Sequence, residues 1–207
     1  LSEELIRSPA DILSIEIAEV PRGWVARVAL VTERSERVTE RARLRVSEGS
    51  CGLCGLENLA QVMRALPAID TRPAVGVQAL FAALDALTDY QPLSRATGAT
   101  HAAAFCAPDG TIMIAREDIG RHNALDKLIG ALARTGQDAR AGFFLLTARC
   151  SYELVEKTLL ARCPLLVTIS APSSLAIERA TAHGLTLVAL ARPDAMLVAH
   201  DPYRLFS

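Results

Sequence analysis

The sequence predicts an α/β protein whose main sheet is covered on both faces. Two observations lead there. Short, nearly continuous apolar runs stand at residues 142–147, 164–169 and 185–190. Patterns of helical period separate them, over 152–161 and 174–183. Uninterrupted apolar strands alternating with helices read as βαβ units, in which helices bury the sheet from both sides.

Composition agrees. The chain has 207 residues, of which 51% are hydrophobic and 22% charged, and its mean hydropathy is +0.26. That suits one large domain, or one domain with a small appendage, and excludes disorder, collagen and coiled coil. No run reaches the roughly 18 apolar residues of a spanning helix, and no secretory start is visible. The net charge of −1 gives no pull toward nucleic acid or an anionic membrane. Five cysteines, an odd number, point to a reducing, cytoplasmic setting rather than a disulfide framework.

The elements follow in order. Residues 11–20 alternate, with Leu13, Ile15 and Ile17 on one face, and residues 24–31 read as a second strand. Over 38–46, Val38, Ala42, Leu44 and Val46 face one way and Arg41, Arg43 and Arg45 the other, a solvated stripe or a greeting for an anion. Ser47–Gly55 is small, polar and Gly-rich, hence a loop. Leu56, Leu59, Met63 and Leu66 then recur at helical spacing up to Pro67. Val77, Leu80, Phe81 and Leu84 mark another helix. Residues 101–106 and 111–115 flank Pro108-Asp109-Gly110 and predict a hairpin. Leu125, Leu128, Ile129 and Leu132 mark a helix before the βαβ units, and MLVAH (196–200) follows them.

Ligands of such sheets gather outside the carboxyl ends of the strands. Two strand-to-helix turns there are chemically loaded: Thr147-Ala148-Arg149-Cys150-Ser151 and Ser170-Ala171-Pro172-Ser173-Ser174. Each sets hydroxyls at a helix start, where free N–H groups favour an anion, and Arg149 adds positive charge. Plain N-capping by Ser accounts for the same residues. A third cluster runs from Arg116 to Lys127 and contains Arg121 and His122. Asp126 lies four residues after His122, placed to orient the imidazole; a capped helix start with surface ion pairs is the plainer reading. His101, entering an apolar strand, reads first as a core or edge histidine.

Cys106 and Cys163 lie in apolar surroundings and read as buried small hydrophobes. Cys51 and Cys54 stand apart, in Cys-Gly-Leu-Cys-Gly. A structural zinc site needs four ligands, and neither a second such pair nor a His pair is present. A redox dithiol and a thiol that carries a sulfane sulfur both remain, the latter needing an exposed, mobile, low-pKa cysteine and a neighbouring thiol. Residue types alone do not separate the two.

Taken together, Ser-Cys-Gly-Leu-Cys-Gly (50–55), Thr-Gly-Ala-Thr-His-Ala-Ala (97–103), Glu-Asp-Ile-Gly-Arg-His-Asn-Ala-Leu-Asp-Lys (117–127) and Ser-Ala-Pro-Ser-Ser-Leu-Ala (170–176) resemble the formate dehydrogenase accessory sulfurtransferase family (FdhD) over nearly the whole chain. The resemblance implies a three-layer α/β/α sandwich similar to the cytidine deaminase fold over residues 49–207, with a small N-terminal β-rich region over 1–48 that lacks a stretch upstream. It implies a homodimer that takes sulfur from a cysteine desulfurase as a cysteine persulfide. The sulfur goes to the bis(molybdopterin guanine dinucleotide) molybdenum cofactor required by formate dehydrogenase, a bound substrate, with no structural metal. The deaminase zinc signature is missing, so deaminase chemistry is not implied.

Carried over by position, Cys51 matches the persulfide-bearing cysteine and Cys54 its neighbour. The family's cofactor segment matches Leu190, Ala191, Arg192, Pro193, Asp194 and Ala195, and the nucleotide ends are expected along His101, Arg121, His122, Arg149, Ser151, Ser173 and Ser174. Family members often carry a Lys-Pro-Gly-Arg type segment where this chain has Arg192-Pro193-Asp194-Ala195, and a glycine where it has Ala99. The alternatives to sulfur transfer are a non-enzymatic chaperone that binds and delivers the cofactor, and a thiol–disulfide oxidoreductase.

Overall fold

The computed structural model describes residues 5–21, 23–35, 38 and 65–206. The chain divides into two compact units, Leu1–Ala65 and Leu66–Ser207. Among the described residues no helix is long and apolar enough to cross a membrane.

In the first unit, strands β1 (Ile12–Val20) and β2 (Gly23–Leu30) form an antiparallel hairpin in which Ile15 faces Val28, Ile17 faces Ala26 and Glu19 faces Trp24. This matches the two strands read from 11–20 and 24–31. A 3₁₀ turn at Pro9–Asp11 leads in, and Asp11 Oδ2 accepts from the Arg7 amide at 2.7 Å and from Arg34 Nε at 3.2 Å. The strand predicted over 38–46 falls almost wholly outside the described residues, and Val38 itself is helical. The helix predicted over 56–66 also falls outside them, apart from Ala65 and Leu66, which are irregular.

The second unit is built on a six-stranded mixed sheet: β3 (His101–Cys106), β4 (Ile112–Asp118), β5 (Phe143–Leu146), β6 (Leu165–Thr168), β7 (Thr186–Ala189) and β8 (Leu197–His200), in the order β4-β3-β5-β6-β7-β8. Strands β5, β6 and β7 are parallel, while β3 runs antiparallel to both β4 and β5, and β8 antiparallel to β7. The helices are α1 (Val77–Ala86), α2 (Pro92–Thr97), α3 (Arg121–Thr135), α4 (Tyr152–Leu160) and α5 (Ser174–Ala182).

Alternation sorts the strand residues into two cores. Ala104, Cys106, Phe143, Leu145, Leu165, Val167 and Val188 pack with Leu80, Ala83 and Leu87 of α1 and the turn after it. Their neighbours Ala103, Phe105, Phe144, Leu146, Leu166 and Leu187 face the layer of α3, α4 and α5. There Phe105 and Phe144 meet edge to face, ring centroids 6.1 Å apart. The fold is therefore a mixed α/β sandwich, as expected.

The hairpin of β3 and β4 turns where Pro108-Asp109-Gly110 predicts it. Gly110 has φ +93, and a Cβ there would lie 2.3 Å from the Ala79 carbonyl oxygen, so only glycine lets the turn approach α1.

Candidate functional site

Sheet direction gathers the predicted residues at one edge. Strands β5, β6 and β7 end there, at Leu146, Thr168 and Ala189. Because β3 is antiparallel to β5, it starts at that edge with His101, which pairs with Asp118 at the end of β4. Helix α3 begins three residues later, at Arg121. His101, Arg121, His122, Arg149, Ser151, Ser173, Ser174 and Leu190–Ala195 therefore all sit along the carboxyl edge, where a ligand of an α/β sheet is expected.

The acidic residues of Glu117-Asp118-Ile119-Gly120-Arg121-His122 hold the loop in place. Glu117 is buried, and its carboxylate accepts from the amides of Leu93 and Ser94, at 2.8 and 2.7 Å, and from Thr100 Oγ1 at 3.0 Å. Burial pushes its carboxyl up, but these donors win and hold it below the usual range. Asp118 Oδ1 accepts from the Gly120 amide at 2.9 Å and Asn123 Nδ2 at 3.3 Å, and its Oδ2 lies 2.6 Å from Lys127 Nζ. Those bonds, that of Lys127 first, hold it low as well. Both acids are thus committed to structure, and they fix where α3 begins and where Arg121 and His122 stand.

His122 Nε2 lies 2.9 Å from Glu153 Oε2 and 3.3 Å from Ser151 Oγ. Ser151 Oγ also lies 3.3 Å from Glu153 Oε2. The carboxylate on this nitrogen is Glu153; Asp126 receives Lys157 Nζ on both oxygens, at 2.9 and 2.8 Å. The trio resembles a hydrolytic triad only in composition. A triad needs the carboxylate on one ring nitrogen and the hydroxyl on the other, and here both address Nε2.

The two hydroxyl-bearing turns differ. Ser173 Oγ accepts from the Ala176 amide at 3.2 Å, an ordinary N-cap. Ser151 stands at the N-cap of α4 but makes no cap bond with its side chain; its hydroxyl belongs to the Glu153–His122 group. The turns are joined: the Cys150 amide donates to Ala171 O at 3.1 Å and the Ser173 amide to Cys150 O at 2.9 Å. The next segment is joined in turn, through bonds from the Leu190 amide to Ser170 O and from the Ala191 amide to Thr168 O. Ala191 is buried, whereas Arg192, Pro193, Asp194 and Ala195 are exposed. Arg192 Nη1 donates to the carbonyls of Ile169 and Ala191, and its amide to Ala195 O at 2.8 Å. Leu190 is held at φ +50, a strained backbone for a branched side chain.

The edge is cationic on the side of β3. Burial comes first in lowering the proton affinity of His101, and the charges of Arg121 and Arg149 lower it further. Arg121 Nε is buried and has no hydrogen-bond partner among the described residues. Arg149 is exposed. Two guanidiniums, Ser hydroxyls and two helix starts on one rim suit a phosphate-bearing ligand.

Cys106, Cys150 and Cys163 are all buried. Burial pushes each thiol up to about 12, which makes them inert. The burial of Cys106 and Cys163 agrees with their apolar sequence surroundings. Cys51 and Cys54 lie outside the described residues.

Glu153 was not singled out in the sequence. An acidic residue in the first turn of a helix is so common that it carries no signal by itself. Its relation to His122 arises only when α3 and α4 pack side by side.

Comparison with known proteins adds to this. A sequence profile described as FdhD/NarQ family matches residues 1–206. The chain is 42% identical over 205 residues to the protein named Sulfur carrier protein FdhD in Variovorax paradoxus, an alignment covering 99% of this chain and 74% of that one. Its likeness to the protein of the same name in Xanthomonas campestris pv. campestris is also 42%, covering 99% and 73%. Among solved structures, a provisionally assigned formate dehydrogenase accessory protein from Desulfotalea psychrophila superposes with a TM-score of 0.71 at 21% identity, covering 99% of this chain and 75% of that one. At that identity the likeness speaks for the fold.

Proposed function

Because the chain belongs to the FdhD/NarQ family, we propose that it is a sulfurtransferase serving formate dehydrogenase. It carries sulfur as a persulfide on Cys51, from a cysteine desulfurase to the bis(molybdopterin guanine dinucleotide) molybdenum cofactor. The relatives named sulfur carrier proteins support the sulfur-carrying part. The observation that carries the assignment of residues is the burial of the other three thiols, each pushed up to about 12. Sulfur chemistry in this chain then falls to Cys51 and Cys54.

In the first step the Cys51 thiolate attacks the terminal sulfur of the desulfurase persulfide. A Cys51 persulfide forms, and the desulfurase cysteine leaves as thiolate. In the second, the Cys54 thiolate attacks Sγ of Cys51. A Cys51–Cys54 disulfide forms, and the terminal sulfur leaves as sulfide for the metal, reduced by the two electrons of the thiolate pair. A dithiol reductant then resets the cysteines. The cationic edge supports docking of the cargo's anionic nucleotide ends over Arg149, Ser151, Ser173 and Ser174, with Arg121 beside them. The reading includes a homodimer in the cytoplasm.

The test is direct. The chain is incubated with a cysteine desulfurase and cysteine, and the peptide holding Cys51 and Cys54 is weighed without reductant. The expected result is a gain of one sulfur atom, lost on reduction and absent from Cys51→Ala, together with loss of formate dehydrogenase activation. Full activation by Cys51→Ala would overturn sulfur transfer and favour a chaperone that only delivers the cofactor.

A further inference from the structure

Glu153 and His122 form a closer relation than docking alone requires. Nε2 of His122 is 2.9 Å from a carboxylate oxygen. A bare ring nitrogen there would set its lone pair against those of the oxygen, so the proton resides on Nε2 and is donated to Glu153 Oε2. The Ser151 hydroxyl donates to the same oxygen at 3.3 Å, which explains why it leaves the cap of α4 unfilled. The hydrogen bond from His122 is the foremost cause holding the Glu153 carboxyl below its usual range; burial opposes it, and Ser151 and the charge of Arg121 assist.

We propose that Glu153 is a positioning residue that fixes the His122 ring with Nε2–H on its own carboxylate, so that His122 serves the ligand edge through Nδ1 alone. Nothing in the sequence pattern or in the names of the relatives assigns Glu153 this part. The charged groups tied to this pair are Glu153 of α4 on the ring itself and Arg121 of α3, whose charge acts on Glu153; Arg121 and Arg149, from the turn after β5, also act on His101 of β3. With Nε2 taken, a proton reaches or leaves His122 only at Nδ1. The hydroxyl of Ser151 is likewise oriented away from nucleophilic use. The ligand side of this inference rests on the nucleotide-docking reading; the ring geometry does not.

The experiment uses the full chain with ¹⁵N-labelled histidine, Glu153→Ala and Glu153→Gln, and guanosine 5′-diphosphate as the probe, since it carries the guanine, ribose and two phosphates of one dinucleotide end. The expected spectrum shows a slowly exchanging Nε2–H resonance of His122 in the parent chain, lost in Glu153→Ala. It is retained in Glu153→Gln, whose side-chain carbonyl still accepts. Binding of the probe weakens about tenfold in Glu153→Ala, the worth of one hydrogen bond to a charged group, and recovers in Glu153→Gln. Absence of the Nε2–H resonance from the parent chain, or its persistence in Glu153→Ala, overturns the proposal. Unchanged probe binding in Glu153→Ala overturns its ligand half. A parent chain that shows the resonance but binds no probe refutes nucleotide docking while upholding the Glu153–His122 lock. Should Glu153→Ala fail to fold, Glu153→Asp takes its place, and retreat of the carboxylate by one methylene is expected to speed exchange of the same proton.

Discussion

The amide of Cys150 donates to the carbonyl of Ala171 across 3.1 Å, and this bond lays two strand-to-helix turns side by side. One turn brings Arg149 and Ser151 to the rim, the other Ser173 and Ser174. A ligand with more than one phosphate, docked as proposed, would meet both helix starts at once. The bond is made entirely of backbone, so side-chain substitutions on the rim leave it in place.

Arg149 is exposed and acts on its surroundings through charge. Arg149→Ala is expected to unfold at the parent temperature but to bind guanosine 5′-diphosphate about tenfold or more weakly, the loss of one charge-assisted hydrogen bond. Its affinity should also fall less steeply with added salt. Isothermal titration at two ionic strengths measures both. Parent-like affinity and salt slope would remove Arg149 from the site.

The buried thiols offer a chemical check. With thiols pushed up to about 12, about one in ten thousand is ionised at pH 8. A Cys51→Ala/Cys54→Ala chain is expected to show no fast labelling by a thiol reagent while folded, and three labelled cysteines once denatured. Rapid labelling of the folded double variant would contradict the burial of Cys106, Cys150 and Cys163.

Glu117 ties the start of α2 to β4, which makes acid stability a readout of the loop. Its carboxyl is lower when folded than its ordinary value of 4.5. A group depressed in the folded state contributes its full stability above the unfolded value and loses it as pH falls through the folded one. The melting temperature of the parent should therefore decline more steeply below about pH 4.5 than that of Glu117→Ala. At neutral pH, Glu117→Ala should be destabilised by about 1–3 kcal/mol, because the amides of Leu93 and Ser94 lose their acceptor. Thermal melts between pH 3 and 7 (about four units) decide this.

Lys157 is a buried cation, 6% exposed, held by the carboxylate of Asp126, which is 37% exposed. Asp126→Asn keeps the shape and removes the charge that balances Lys157. A loss of about 1–3 kcal/mol is expected, below the range for fully buried pairs because Asp126 reaches solvent. For a chain of this size that is a fall of roughly 5 °C in melting temperature. An unchanged melting temperature would show that Lys157 is balanced without Asp126.

The strands of the second unit were legible where the pattern was local. Residues 142–147, 164–169 and 185–190 were long enough in unbroken apolar side chains to declare a sheet buried on both faces, and Pro108-Asp109-Gly110 declared its own turn. Helix α2 was not foreseen. Pro92 starts it, but its amides are capped by Glu117, more than twenty residues away, and no local pattern reports such a partner. The same reason hid Glu153. The candidate rim was legible as residue types, while the division of labour within it was not. Sequence left Ser151 and Ser173 equal, and only packing makes one a cap and the other a partner of His122.

The order of strands across the sheet has a consequence for synthesis. The rim draws on β3, α3, and the segments after β5, β6 and β7. When the ribosome has released the chain as far as α4, His101, Arg121, His122 and Arg149 are already present, yet the turns at 170–174 and 190–195 do not exist. A nascent chain at that stage carries the charges of the rim without the segments that complete it. The rim is complete only once residue 195 has emerged, so on the docking reading proposed above nucleotide binding would begin late in synthesis.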